Sequence, residues 1–361
     1  MKLLILTQKV DINDDVLGFM HGWIAEFAKN CEKVIVICLK KGEYELPENV
    51  KVLSLGKETG ESRIKYLINF YKYIWQERKN YDAVFVHMNY EYVNLGGIFW
   101  RLLGKKIGLW YAHGKVKFQL KIAEILADQV FTSTSSGFRL PSKKLYIVGQ
   151  GIDVNKFKVE SKKLLALKNL GEGGKVNENR FNIISIGRIS PVKNYETLIR
   201  AAEILKKQGL NFSVEILGGP GTAKQEEYLA DLKLMVKING LENIVNFLGP
   251  VSNRNIADYL AKADLFINTS NTGSLDKAIL EAMACGLPVI SCNEAFLEIF
   301  KDYKDNLFFT AGDAGELVEK INSINNLDDT GRDGLGENLR NIIVADHSLP
   351  GLIKKILNLY K

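Results

Sequence analysis

Along the first half of the chain, short apolar runs alternate with longer stretches in which apolar residues recur every three to four positions. The runs KLLILT, KVIVICL, VKVLSLG, AVFVHM, KIGLWYA, QVFTST and KLYIVG have the length and β-branched content of buried strands. Between them, helical spacing predicts helices over 18–28, 64–78 and 116–127. Such alternation predicts a parallel sheet with helices on both faces, because parallel neighbours need a crossover between them. Ligands of such sheets bind at the carboxyl ends of the strands. The pattern breaks between 151 and 180, where GIDVNKF is turn-rich and a lysine-rich, glycine-containing stretch carries no strand. FNIISIG restarts it, followed by FSVEILG, IVNFLG, LFINTS and PVISC, with helices predicted over 195–207, 225–237 and 255–261. The predicted fold class is therefore α/β, with two doubly wound parallel-sheet (Rossmann-like) domains at 1–153 and 154–345. The remaining 346–361 contains LPGLIKKILNLYK, an amphipathic helix that could pack back across the cleft.

The second domain is organised around SNTGSLDKAILEAMA and the CGLPVIS that follows it. LFINTS reads as a buried strand, Asn271 to Ser274 as a small-residue turn, and Leu275, Ala278, Ile279, Ala282 and Met283 as one face of a helix. Gly286 and Pro288 stop that helix. A strand, a tight turn and a helix start form an anion site, since unpaired amides and the helix dipole converge there. Glu281 lies within that helix, where a carboxylate could reach ligand hydroxyls; a lone glutamate on a helix is more often simply solvated. FNIISIGRISPVKN places Gly187 and Arg188 at a strand end, with Lys193 five residues after Arg188. Two cations on one loop suit a diphosphate whose charge grows as it leaves. Seen alone, they are as readily surface cations.

Composition narrows the classes without choosing among them. A chain of 361 residues, 46% hydrophobic and 25% charged, is an ordinary globular protein too long for one core. No apolar run approaches the roughly 18–20 residues of a spanning helix, and the N-terminus enters a strand directly, so a cytoplasmic protein is expected. Cys31, Cys38, Cys285 and Cys292 lack CxxC spacing and read as reduced core residues. A net charge of +6 permits nucleotide phosphates or lipid headgroups as partners and requires neither; no nucleic-acid partner is expected. No GxGxxG follows a first strand, which argues against a nicotinamide dehydrogenase, and no GxxxxGK[ST] is present. GQGID and LGGPG are weak signals of backbone approach to a nucleotide. Asp14 and Asp15 are adjacent in a loop, and without an Asp-x-Asp at a strand end no metal and no cofactor are expected.

GRISPVKN resembles the GRxxxxKN signature, and SNTGSLDKAILEAMACGLPVIS the SxxEGFGxxxLEAMACGxPVI signature, of the family four retaining nucleotide-sugar glycosyltransferases. DAVFVHM, LWYAH, ADQVFTSTSSG and GQGIDVNKF are similar to that family's N-domain and linker blocks in the same order. The resemblance spans essentially the whole chain and implies the GT-B fold, with the active site in a cleft between two facing domains. It implies a donor such as a UDP- or GDP-sugar held by the C-terminal domain at Gly187, Arg188, Lys193, Gly273, Ser274, Leu275, Asp276, Leu280 and Glu281. Arg188 and Lys193 would neutralise the diphosphate and Glu281 would bind the ribose. Leu280 would lie near the ribose and diphosphate, and His113 beside the transferred sugar. Two departures stand out: Gly273 occupies the place of the family's first Glu and Leu275-Asp276 that of its FG. The Gly-rich loop after the first strand is here TQKVDINDDVLG, with only Gly18. Asp276, about 60° from the missing glutamate's face, could assume its hydroxyl contacts or simply complement the helix start.

The expected activity is a retaining hexosyltransferase moving a sugar to an acceptor hydroxyl in polysaccharide, glycolipid or glycan assembly, catalytic through His113, Arg188, Lys193 and Glu281. A nucleotide-sugar 2-epimerase of the same fold, or a nucleotide-sugar-binding protein that has lost turnover, are the alternatives. RIKYLINFYKYIWQERK and KVKFQLKIAEIL combine cations with apolar residues, so peripheral membrane contact and a lipid-linked acceptor are also expectations. The competing expectation is that these helices pack their apolar faces on the sheet.

Overall fold

A computed structural model describes residues 1–158, 180–270, 273 and 275–361. The lysine-rich stretch 159–179, and Asn271, Thr272 and the candidate contact Ser274, lie outside the described residues. The chain divides into two compact units, one of Met1–Gly151, Ser252–Arg254 and His347–Lys361, the other of Ile152–Val251 and Asn255–Asp346.

In the first unit, β1 (Lys2–Val10), β2 (Lys33–Lys41), β3 (Val50–Ser54), β4 (Ala83–His87), β5 (Lys106–Trp110), β6 (Gln129–Thr132) and β7 (Leu145–Ile147) form one parallel sheet, ordered β3-β2-β1-β4-β5-β6-β7. Leu3 to Thr7 are all buried, as a strand covered on both faces requires. Alternation divides them: Leu3 and Ile5 join the core of α1 (Phe19–Asn30), while Leu4 and Leu6 join that of α2 (Arg63–Gln76) and α3 (Glu91–Leu102). α4 (Phe118–Leu126) lies beside α3. The C-terminal helix Leu349–Leu359 belongs to this unit and packs on α1 through Leu352, Ile353 and Ile356. Each such side chain, fully buried, contributes about 1.5–3 kcal/mol. Just beyond it, the Tyr360 hydroxyl donates to the Val84 carbonyl at 2.7 Å.

In the second unit, β8 (Phe181–Ile186), β9 (Phe212–Leu217), β10 (Val245–Gly249), β11 (Leu265–Asn268) and β12 (Val289–Ser291) form a parallel sheet ordered β10-β9-β8-β11-β12. The Lys277–Ala284 helix follows β11 and is buried from Ala278 to Ala284. Gly286 ends it with φ +74°, a left-handed conformation that glycine adopts without strain. The Asp329–Asp346 helix crosses there so closely that a Cβ on Gly336 would stand 1.8 Å from the Gly286 carbonyl oxygen. From the same helix, Arg340 donates to the carbonyls of Ala284, Phe157 (3.2 Å) and Val154 (3.0 Å).

Strand order reverses direction between β1 and β4 in the first sheet and between β8 and β11 in the second. These are the switch points at which a crevice opens beyond the strand ends. The described helices of twelve or more residues absent from the sequence-based expectation are Glu91–Leu102, Ala314–Asn325 and Asp329–Asp346.

Candidate functional site

At the switch point of the second unit, the segments following β8 and β11 are tied together. β8 ends at Ile186, and Gly187 turns the chain beneath the Lys193 side chain. A Cβ on Gly187 would lie 2.7 Å from Lys193 Cε, so the end of the lysine side chain lies directly against the Gly187 backbone. The Tyr195 hydroxyl donates to the Gly187 carbonyl at 3.0 Å. Lys193 closes a short 3₁₀ turn, after which Asn194 takes φ +48° and the Tyr195–Lys207 helix begins. Thr269 Oγ1, just past β11, donates to the Lys193 carbonyl at 2.6 Å. Arg188 is exposed on this loop.

Asp276 caps the Lys277–Ala284 helix: its Oδ1 accepts from the Ala278 amide at 3.2 Å. Its Oδ2 accepts from Asn268 Nδ2 at 3.1 Å and forms an ion pair with Lys193 Nζ. One carboxylate thus fixes a helix start, a strand end and a cation. Gly273 takes φ +66°, Leu275 is buried in the core, and Leu280 is fully buried. Glu281 is 7% exposed and interacts electrostatically with Lys156 and Lys277. Burial pushes both lysines below their usual range; Lys156 lowers Lys277 further, and Glu281 opposes the shift in each. Gly187, Lys193 and Asp276 therefore come together, with Glu281 further along the helix under the electrostatic influence of Lys156 and Lys277. Lys156, Tyr195, Asn268 and Thr269 were not singled out in the sequence. Asn268 and Thr269 carried the one available signal, two polar residues ending an apolar strand.

The first unit has its own cavity at the carboxyl ends of β1, β4 and β5, about 370 Å³ in volume. Gln8, Asn89, Tyr90, Glu91, Tyr111 and His113 line it with Met88 and Lys115. Met88 has φ +63°, costly for a residue with a long side chain. Its amide donates to the Trp110 carbonyl at 2.7 Å, and the Ala112 amide meets Met88 Sδ at 3.3 Å, so β4 and β5 hold it there. The turn aims the start of α3 at the cavity. His113 is exposed, with Nδ1 accepting from the Lys115 amide at 3.1 Å. Partial burial, then Lys115 and Lys117, hold its imidazole below the usual histidine value of 6.5. His87 also lines this cavity and packs against Phe19 and Trp23, whereas His21 accepts from the Glu45 amide and His347 from the Gln150 amide. Gly151, in one of the weak glycine motifs, faces Leu349, Leu352 and Trp23. Among the described residues, no three His, Cys, Asp or Glu side chains gather into a metal-binding group.

Residues 168–341 match the family described as glycosyl transferases group 1. A D-inositol 3-phosphate glycosyltransferase of Kineococcus radiotolerans is 34% identical over 155 residues, 41% of this chain and 34% of that protein. A putative colanic acid biosynthesis glycosyltransferase, WcaL of Escherichia coli, is 26% identical over 196 residues, 52% of this chain and 44% of that protein. The chain thus spans well under two thirds of the curated relatives it matches. Among solved structures, Anabaena HepE in complex with UDP and glucose aligns with a TM-score of 0.77 at 20% identity, covering 99% of both chains. TarM of S. aureus aligns at 0.73 and 12% identity over the full length of both. These likenesses establish the GT-B fold class, two parallel-sheet α/β domains in one chain.

Proposed function

We propose, from the match of residues 168–341 to the glycosyl transferases of group 1, that the protein transfers a sugar from a nucleotide-sugar to an acceptor hydroxyl with retention of anomeric configuration. The observation carrying this reading is the junction of Gly187, Lys193, Thr269 and Asp276 at the switch point of the second sheet. It joins a cation to a helix start, with Arg188 exposed on the same loop, where an open α/β sheet binds its ligand. In this reading the donor diphosphate lies against Arg188, Lys193 and the start of the Lys277–Ala284 helix. Glu281 receives the ribose hydroxyls, and the Gly273 backbone lies toward the sugar. The acceptor occupies the 370 Å³ cavity of the first unit, with His113 at its rim.

Chemically, the work is to stabilise charge that grows on the departing diphosphate, and fixed cations do so without reorganising. The acceptor hydroxyl attacks from the leaving-group face, and the departing phosphate oxygen takes its proton. No step calls on a metal, so chelation with EDTA should leave turnover unchanged. HepE, with 20% identity, was solved with UDP-glucose, which makes UDP-glucose the first donor to try. The test is release of nucleoside diphosphate from UDP-, GDP- and ADP-sugars by the wild-type chain and by Arg188→Ala. Donor-dependent release lost in the variant supports the reading. Failure of every donor to bind or react overturns it.

A further inference from the structure

Helices α2, α3 and α4 lie side by side: Tyr71 donates to the Leu95 carbonyl, Trp75 meets Phe99, and Asn94 donates to the Gln119 carbonyl. Arg101 reaches the carbonyls of Ile125 and Leu126. Each helix turns apolar residues to the sheet and a second apolar set outward. On α2 only Phe70 and Ile74 are buried, whereas Ile64, Leu67, Ile68, Tyr71 and Trp75 are exposed. At 100° per residue those five fall within an arc of about 100°, a continuous stripe. α3 exposes Leu95, Ile98 and Leu102 at the same spacing, and α4 exposes Phe118, Ile122 and Ile125. The expectation that α2 and α4 would hide their apolar faces on the sheet is met by only part of each helix. α3, whose sequence drew no attention, joins their outer stripes.

Charge identifies the occupant. The chain as a whole is nearly balanced, with 48 Lys and Arg against 42 Asp and Glu. α2 carries Arg63, Lys65 and Lys72 and no carboxylate, and residues 92–123 contain no Asp or Glu at all. Lys65 and Lys72 are two turns apart on one flank of the α2 stripe, and Lys117 and Lys121 are exposed along α4. Apolar side chains bordered by cations, with Glu91 at the start of α3 and Glu124 on α4 the two carboxylates of the three helices, match a surface that is anionic outside and hydrocarbon beneath. A protein partner would need a facing patch that is itself both apolar and acidic. We infer that the outer face of α2, α3 and α4 docks on an anionic lipid bilayer. No described helix is long and apolar enough to cross a membrane, so the contact is peripheral. It does not depend on the sugar-transfer reading.

Trp75 provides the measurement. It is 56% exposed, while Trp23, Trp100 and Trp110 are buried, so a blue shift of tryptophan emission on docking reports this face. The full chain is mixed with phosphatidylcholine vesicles with and without phosphatidylglycerol, at low and high salt. Expected are co-sedimentation and a blue shift only with phosphatidylglycerol, both reversed by salt. Ile68→Glu with Ile98→Glu, at positions 55% and 65% exposed, should weaken partitioning at least tenfold with unchanged circular dichroism. Lys65→Gln with Lys72→Gln should weaken it while leaving the apolar stripe intact. No partitioning at low salt overturns the inference. So does concentration-dependent dimerisation that the same glutamates abolish without vesicle binding, which would make this face a contact between two copies of the chain.

Discussion

Arg188 and Lys193 leave the same strand end in different electrostatic company. Lys193 is already engaged by Asp276, whereas Arg188 is exposed and pairs with no described carboxylate. If both stabilise a departing diphosphate, Arg188→Ala and Lys193→Ala should each cost about 2–4 kcal/mol in kcat/KM, roughly 30- to 900-fold. Near wild-type kcat/KM in both would remove them from the reaction. Asp276 separates two roles left open by the sequence, a contact with sugar hydroxyls or a helix-start residue. Its oxygens are occupied by the Ala278 amide, Asn268 and Lys193, which supports the second. Asn caps as well as Asp, so Asp276→Asn should hold its Tm, while Asp276→Ala should lose about 0.5–2 kcal/mol of stability. With the carboxylate's charge removed, Lys193 should bind free nucleoside diphosphate at least as tightly as in the wild type. Tenfold weaker binding by Asp276→Asn at unchanged Tm would return Asp276 to direct contact with the ligand.

At the scale of elements, several glycines serve contacts rather than turns, and this is where the sequence was hardest to read. The strands were legible because doubly covered parallel strands are continuous apolar runs. The Glu91–Leu102 helix was not, because Gly96 and Gly97 each lower helix propensity by about 1 kcal/mol relative to Ala. Their use is spatial. A Cβ on Gly96 would stand 2.6 Å from the Trp100 ring, and one on Gly97 would stand 3.0 Å from Leu126. The same holds for GRDGLG in the Asp329–Asp346 helix, where Gly336 meets Gly286. At the candidate site, the Gly187–Lys193 loop and the helix start were legible from their motifs. The turn at Met88 was not, since nothing in its residue type signals φ +63°. Gly108 tests the contact role most simply: a Cβ there would fall 2.1 Å from the Tyr360 hydroxyl and 2.6 Å from the Phe131 ring. Gly108→Ala should therefore lose about 1–3 kcal/mol by overpacking, even though alanine in a strand is otherwise favoured over glycine. Combined with Tyr360→Phe, the cost should fall, because the clashing oxygen is gone. Equal costs in the two backgrounds would show that the last residues do not set the tolerance at Gly108.

For the whole molecule, the decisive fact is that each unit has its own sheet and its own core. Ile152 to Ile343 contribute one cluster, and two further clusters cover the faces of the first sheet. A ligand held by one unit should therefore stabilise that unit first. Binding adds RT ln(1 + [L]/Kd), about 2.7 kcal/mol at a hundredfold excess over Kd. For amides that exchange only through opening of the binding unit, this is roughly a hundredfold slowing. With UDP or another nucleoside diphosphate, protection should rise in β8, β11 and the Lys277–Ala284 helix, whose junction carries Lys193 and Asp276. β4, β5 and α3, which line the other cavity, should be unchanged by the nucleotide alone and respond only to acceptor. Arg188→Ala should reduce the protection in the second unit without altering the unliganded exchange pattern, since its side chain is exposed. Nucleotide-induced protection confined to β4 and β5 would place the donor in the first unit instead. The cavity around His113 would then be a nucleotide site, and the assignment of Arg188, Lys193 and Glu281 would fail together.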